Sequence, residues 1–118
     1  MNNFNGEERR RHPRLNVSYV LSYRAIGAES FYDFTQTKNV SQGGMSFSTD
    51  KVFDKGMSLI MSMRWPFSPK RVEIKGEVVE SREVSPQYSL CETQIRFVDM
   101  PEDESAKIGD FILQRLHR

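Results

Sequence analysis

Cysteine is almost missing from this chain of 118 residues: Cys91 stands alone, and one thiol excludes an internal disulfide framework. Its place in an alternating apolar stretch marks it as a small buried core residue, not a nucleophile. Histidine is nearly as scarce, and His12 and His117 lie at opposite ends of the sequence in no ligand-spaced pattern. No phosphate-cradling Walker loop, no hydrolase triad and no acid pair in an apolar setting occurs. The expectation is therefore a protein that is not an enzyme and that carries no metal or cofactor. Long hydrophobic runs are lacking too. The longest weakly polar stretch, Met57 to Met63, is interrupted by Ser58 and Ser62 and is far shorter than a bilayer span. The opening Met-Asn-Asn-Phe-Asn-Gly-Glu-Glu has neither the basic start nor the apolar run of a secretory leader, so a cytoplasmic location without membrane insertion is expected.

What the chain does contain is a balance of 37% apolar and 28% charged residues, which suits a folded globular domain. The net charge of +1 argues against a generic nucleic-acid binder with a strong positive field. Charge is nevertheless unevenly spread. Residues 1–14 carry Arg9, Arg10, Arg11 and Arg14 against Glu7 and Glu8, which leaves 13 basic and 14 acidic residues in the other 104. The domain plan is accordingly a basic arm over 1–15 leading into one folded unit over 16–118.

Period-two alternation dominates from residue 16 to residue 98 and marks six short strands. The first is expected over Asn16 to Ile26, with Val17, Tyr19, Leu21 and Tyr23 on one face. The second runs from about Phe31 to Asn39 and the third from Met45 to Thr49, with Ser-Gln-Gly-Gly as the turn between them. In the fourth, Leu59, Met61, Met63 and Trp65 oppose Ser58, Ser62 and Arg64, and Pro66 with Pro69 ends the run. Val72, Ile74 and Val78 define the fifth, with Gly76 as a bulge or close-approach point, and Cys91, Thr93, Ile95 and Phe97 define the sixth. The period then changes: Ile108, Phe111, Ile112 and Leu116 line one face of a terminal helix. Asp99 followed by Glu102 offers it a capping box, with Pro101 in the first turn. Six short amphipathic strands must bury one face and protect their edges. Closure into a small antiparallel β-barrel with a C-terminal α-helix against it does both.

Two segments carry residue types suited to a ligand. Arg9-Arg10-Arg11-His12-Pro13-Arg14 is dense in cations, and Pro13 holds His12 away from helical geometry. A guanidinium is a planar fork that matches a phosphate or the O6/N7 edge of a guanine. The same run would also serve as a solvated terminus. Asn39-Val40-Ser41-Gln42-Gly43-Gly44 sits where one strand hands over to the next. Asn and Ser bring short hydrogen-bonding groups, and paired glycines let backbone amides approach an anion. These residues would equally make an ordinary hairpin turn in which Asn39 and Ser41 bond their own backbone.

Taken together, the two segments resemble the signature of the PilZ family of cyclic di-GMP receptors, Arg-x-x-x-Arg followed later by Asp/Asn-x-Ser-x-x-Gly. Arg10 and Arg14 match its first half, and Asn39, Ser41 and Gly44 match its second; Gly-Gly-Met-Ser-Phe, Gly-Glu-Val-Val and Ile-Arg-Phe-Val follow in the family's order. The resemblance implies a six-stranded PilZ-like split barrel, mainly β, and cyclic di-GMP as ligand. It implies that Arg10 and Arg14 hold guanine edges and phosphates, that Asn39 and Ser41 contact a guanine and the phosphate region, and that Gly44 admits the ligand to the backbone. Arg9, Arg11 and Gly43 are secondary candidates. It further implies an adapter that passes the second-messenger level to an unidentified protein effector in motility, exopolysaccharide or biofilm output. The alternatives are a PilZ-like adapter working through protein contact without nucleotide, and, less favoured, a nucleic-acid-binding barrel with Tyr19, Tyr23, Phe31 or Phe34 as stacking groups. Two positions depart from the family pattern: Glu80, where a large apolar residue is common, and Gln94, where glycine is.

Overall fold

The computed structural model describes residues 12–27 and 33–117; the expectations for Arg9, Arg10, Arg11 and Phe31 fall outside them. The elements run in the order β1 Arg14–Leu15, β2 Val20–Ala25, β3 Asp33–Ser41, β4 Gly44–Thr49, β5 Ser58–Met63, β6 Val72–Ser85, a 3₁₀ turn Pro86–Tyr88, β7 Leu90–Val98 and α1 Glu102–Leu116. All strand pairs are antiparallel. The sheet order is β1-β3-β2-β5-β6-β7-β4, and β4 returns to pair with β3. Strands β2 to β7 therefore form the expected closed six-stranded barrel. The short β1 is one extra strand on β3, with Arg14 opposite Ser41 and Leu15 opposite Val40, so the last two residues of the basic arm are held in the sheet.

The alternating residues fill the interior. Leu21, Tyr23, Phe47, Leu59, Met61, Met63, Trp65, Ile74, Val78 and Ile95 are buried together with Ile108 and Ile112 of α1. Cys91 is buried as expected. Tyr19 meets Trp65 and Phe111, and Phe67 meets Phe111, at ring separations of 5.4–6.5 Å. These aromatic contacts seat the helix on the barrel.

Four local expectations are corrected. The first strand does not run unbroken from Asn16 to Ile26, because the buried Thr37 side chain intrudes. Its hydroxyl donates to the Val17 carbonyl at 2.6 Å and accepts the Tyr19 amide at 2.8 Å, so that side-chain bonds interrupt the ladder there beside one backbone bond, from the Thr37 amide to the Tyr19 carbonyl at 2.9 Å. Of the two readings of Gly76, close approach holds, since a Cβ there would lie 2.7 Å from Met61 Cε and 2.9 Å from Ile95 Cδ1. The register of the fifth strand shifts instead at Val79, where Val78 faces Ile95 while Glu80 faces Gln94, and again between Glu83 and Ser85. That strand also continues to Ser85, well past the alternating core run. Finally, Asp99 does not cap the helix. Pro101 is the N-cap and makes no side-chain cap bond, because a proline disfavours helical geometry at the residue before it and so keeps Met100 out of the first turn. Asp99 instead adopts a left-handed φ of 57° and its carboxylate lies 4.0 Å from Lys75. Glu102, Asp103 and Glu104 still place negative charge at the helix start.

Candidate functional site

The hand-over from β3 to β4 is a two-residue connection, Gln42 and Gly43, organised by Ser41. The Ser41 Oγ accepts the amides of Gly43 at 3.2 Å and Gly44 at 3.1 Å and lies 3.3 Å from the Gly44 carbonyl. Of the two readings the sequence allows for Ser41, self-bonding within the turn is the one this conformation displays. The Gly43 carbonyl accepts the Phe97 amide at 2.8 Å, which ties the turn to β7. Gly44 has a steric reason to lack a side chain: a Cβ there would come 2.1 Å from the Ile95 carbonyl oxygen. On the other side of the turn His12 packs against Gly43, its Cδ2 lying 3.2 Å from where a Cβ would be.

Arg14, Asn39, Ser41, Gly43 and Gly44 line one recess of about 100 Å³ together with Gln94 and Arg96. A second recess of about 70 Å³ shares Arg14, Asn39 and Gln94 and adds Ser46, Glu80, Arg82 and Glu92. Every described residue of the two signature segments that the sequence singles out is thus gathered in one place. Two bulges shape it. In β3 the pairing shifts between Thr37 and Asn39, so that Thr37 faces Phe47 and Asn39 faces Ser46, and Lys38 is the extra residue. In β6 the extra residue is Val79. Bulges re-aim the side chains that follow them, and here they turn out Asn39 and Glu80.

Between the two bulges runs a row that the sequence alone does not reveal. Asn39 is paired with Ser46, Ser46 with Gln94, and Gln94 with Glu80. Four polar side chains from four adjacent strands stand side by side, a span of about 14–15 Å at ordinary strand spacing. Ser46 is buried, and its Oγ has no hydrogen-bond partner among the described residues. The rim is charged: Arg96 pairs with Glu77, its Nε 2.7 Å from the carboxylate, while Glu92 holds Arg82 at 3.2 Å and Lys38 at 3.7 Å. Ser46 and Arg96 lie within segments that follow the family's order, but their membership of the recess, like that of Arg82, follows from register.

Groups with raised pKa are core groups. Burial pushes the Tyr23 phenol up to about 12, with Asp50 and Asp33 adding to the effect. Burial likewise raises Cys91, with Glu83 and Asp50 contributing, and raises Tyr19 against an opposing pull from Arg115. Two larger cavities lie elsewhere, one of about 250 Å³ at Trp65, Phe67 and Ile108 and one of about 300 Å³ at Tyr23, Phe34 and Leu90. Neither includes a residue of the two segments. Among the described residues no cluster of three or more His, Cys, Asp or Glu is placed to hold a metal, and no helix is long and apolar enough to cross a membrane.

A closed six-stranded barrel whose β3–β4 turn faces an arginine-bearing first strand is the arrangement of a PilZ domain. The PilZ domain family model matches residues 8–114, and the chain belongs to that family. It is similar in structure to the Bacillus subtilis inhibitor of motility MotI/DgrA, with a TM-score of 0.72 and 15% identity over 91% of this chain and 51% of that one. It is also similar to the PilZ domain of YcgR from Escherichia coli, solved with c-di-GMP, with a TM-score of 0.65 and 14% identity over 90% of both chains. A third neighbour is the Borreliella burgdorferi PlzA protein in complex with c-di-GMP, with a TM-score of 0.63 and 18% identity over 91% of this chain and 42% of that one. The chain spans about half the length of MotI/DgrA. At these identities the likeness shows a shared fold. No curated protein matches the sequence.

Proposed function

We propose that this chain is a cyclic di-GMP receptor acting as a non-enzymatic adapter in the cytoplasm. The observation that carries the reading is the convergence of Arg14, Asn39, Ser41 and the two glycines on one recess, in a chain that belongs to the PilZ family. The neighbours YcgR and PlzA are solved with c-di-GMP, which supports the same ligand here. In this reading Arg14 supplies a forked donor to a phosphate or guanine edge, and Arg10, with Arg9 and Arg11 beside it, closes over the ligand from the arm. Asn39 and Ser41 meet a guanine and the phosphate region, and Gly44 lets the ligand come close to the backbone of the turn that Ser41 organises. Residues 1–15 act as the ligand-gripping arm of a single domain over 16–118. Ligand binding changes the surface offered to a protein effector in motility, exopolysaccharide or biofilm output, and the similarity to an inhibitor of motility favours the first of these.

The test is calorimetric titration with cyclic di-GMP, with GTP and cyclic di-AMP as competitors. Saturable binding selective for cyclic di-GMP is expected. Arg14→Ala, which removes charge-assisted hydrogen bonds, should weaken it about 10–100-fold. Absence of heat at high ligand concentration would dismiss the nucleotide and leave an adapter working by protein contact alone.

A further inference from the structure

The recess contains a carboxylate that the signature does not account for, and the fold holds it there. Strict alternation along β6 would send Glu80 inward after Ile74 and Val78. The extra residue Val79 changes the phase, so the inward position passes to Ser81. That hydroxyl is bonded to Thr93 at 2.8 Å and accepts the Phe53 amide at 3.0 Å, while Thr93 is joined to Thr49 at 2.9 Å. A chain of hydroxyls, buried at Thr49 and Thr93 and half-buried at Ser81, thus locks the register beyond the bulge. Glu80 is left on the outer face, opposite Gln94, in the recess it shares with Arg14 and Asn39.

Its charge differs from those of its neighbours. Glu77 is taken up by Arg96 and Glu92 by Arg82 and Lys38, whereas Glu80 makes no ion pair with any described residue. An anion entering beside Arg14 meets that carboxylate, and like charges in a partly enclosed recess repel more strongly than in bulk water.

We propose that Glu80 is an affinity-setting residue: it repels the phosphates of the ligand at Arg14 and holds the affinity of this chain below what the rest of the recess would give. The effect is a receptor that responds only at a higher concentration of its ligand. This rests on the reading that the recess takes cyclic di-GMP.

The experiment titrates the full chain with cyclic di-GMP in three forms: wild type, Glu80→Gln, and Glu83→Gln as an exposed carboxylate on the same strand outside the recess. Near 50 mM salt, Glu80→Gln should bind about three- to tenfold tighter than wild type, with Glu83→Gln unchanged. In 1 M salt, where the screening length falls to about 3 Å, the difference between wild type and Glu80→Gln should shrink. Thermal unfolding of each variant verifies that the fold is kept. Equal or weaker binding by Glu80→Gln at low salt overturns the proposal. Weaker binding together with lost discrimination against cyclic di-AMP would assign the carboxylate to a guanine edge instead. A gain undiminished at 1 M salt also overturns it, because repulsion from an exposed carboxylate weakens as salt screens it. If wild type binds and Glu80→Gln matches it, only the role of Glu80 falls; if neither form binds, the receptor reading falls with it.

Discussion

Two described residues, Tyr19 and Ser46, bury a hydroxyl that meets no hydrogen-bond partner, and of the two only Ser46 lies in the recess. The Ser46 hydroxyl is buried between Asn39 and Gln94 in the row and meets no partner among the described residues, and a buried unpaired hydroxyl costs about 1–3 kcal/mol. Unsatisfied buried groups in native structures call for a reason. On the receptor reading, the partner of Ser46 would arrive with the ligand, when Asn39 or Gln94 turns to meet it. Ser46→Ala should therefore leave the free protein as stable as wild type or raise it by about 1 kcal/mol, while weakening cyclic di-GMP binding several-fold. Denaturant unfolding and calorimetry on the same preparation measure both effects. A loss of stability without ligand would mean that the hydroxyl is already bonded, and the idea would be abandoned.

Among the elements, β7 holds the signature turn through the Gly43 carbonyl, and the helix holds it through a side chain. Gln42, a variable position of that signature, reaches across to α1, where its Nε2 donates to the Ser105 Oγ at 3.2 Å. It occupies the space that Gly109 leaves: a Cβ at Gly109 would lie 2.4 Å from the Gln42 Oε1. A glycine that the helix pattern alone would count as a modest weakness is thus a docking notch. Replacing Gly109 by alanine should gain up to about 1 kcal/mol of helix propensity only when Gln42 is absent. In a double-mutant cycle, Gly109→Ala is expected to be about 1 kcal/mol more favourable in the Gln42→Ala background than in wild type. Additive effects would show that the two residues do not press on each other. The same scale separates what was legible in the sequence from what was not. Strands β5 and β7 could be read from alternation because one face of each is buried without interruption. The break before β2, the bulges at Lys38 and Val79 and the true start of α1 could not. Each depends on a residue from elsewhere or on a backbone exclusion: Thr37 bonding Val17 and Tyr19, the partners across β4 and β7, and Pro101 acting on Met100. Arg14, Asn39, Ser41 and Gly44 were legible because they form a local motif. Ser46, Gln94 and Glu80 become one row only through register.

Across the whole molecule the two ends of the barrel are built differently. The signature end carries both bulges that flank the recess, the polar row, and the link through Gln42 to α1. The other end of β4, where Thr49 faces Cys91, opens on the cavity at Tyr23, Asp33 and Leu90 and has no such link among the described residues. A ligand held at the first end at a hundred times its Kd adds about 2.7 kcal/mol to global stability by mass action. Its local effect should be polarised. Hydrogen exchange with saturating cyclic di-GMP is expected to slow most over 39–46, over 94–96 and in the part of α1 around Ser105 and Gly109, with little change in β2 beyond the global gain. In Gln42→Ala the slowing at α1 should vanish while that at the turn remains, since the variant cuts the side-chain hydrogen bond that joins the turn to the helix. Protection that instead concentrates at Tyr23 and Leu90 would move the binding site to the opposite end of the barrel, and the polar row would then need a different explanation.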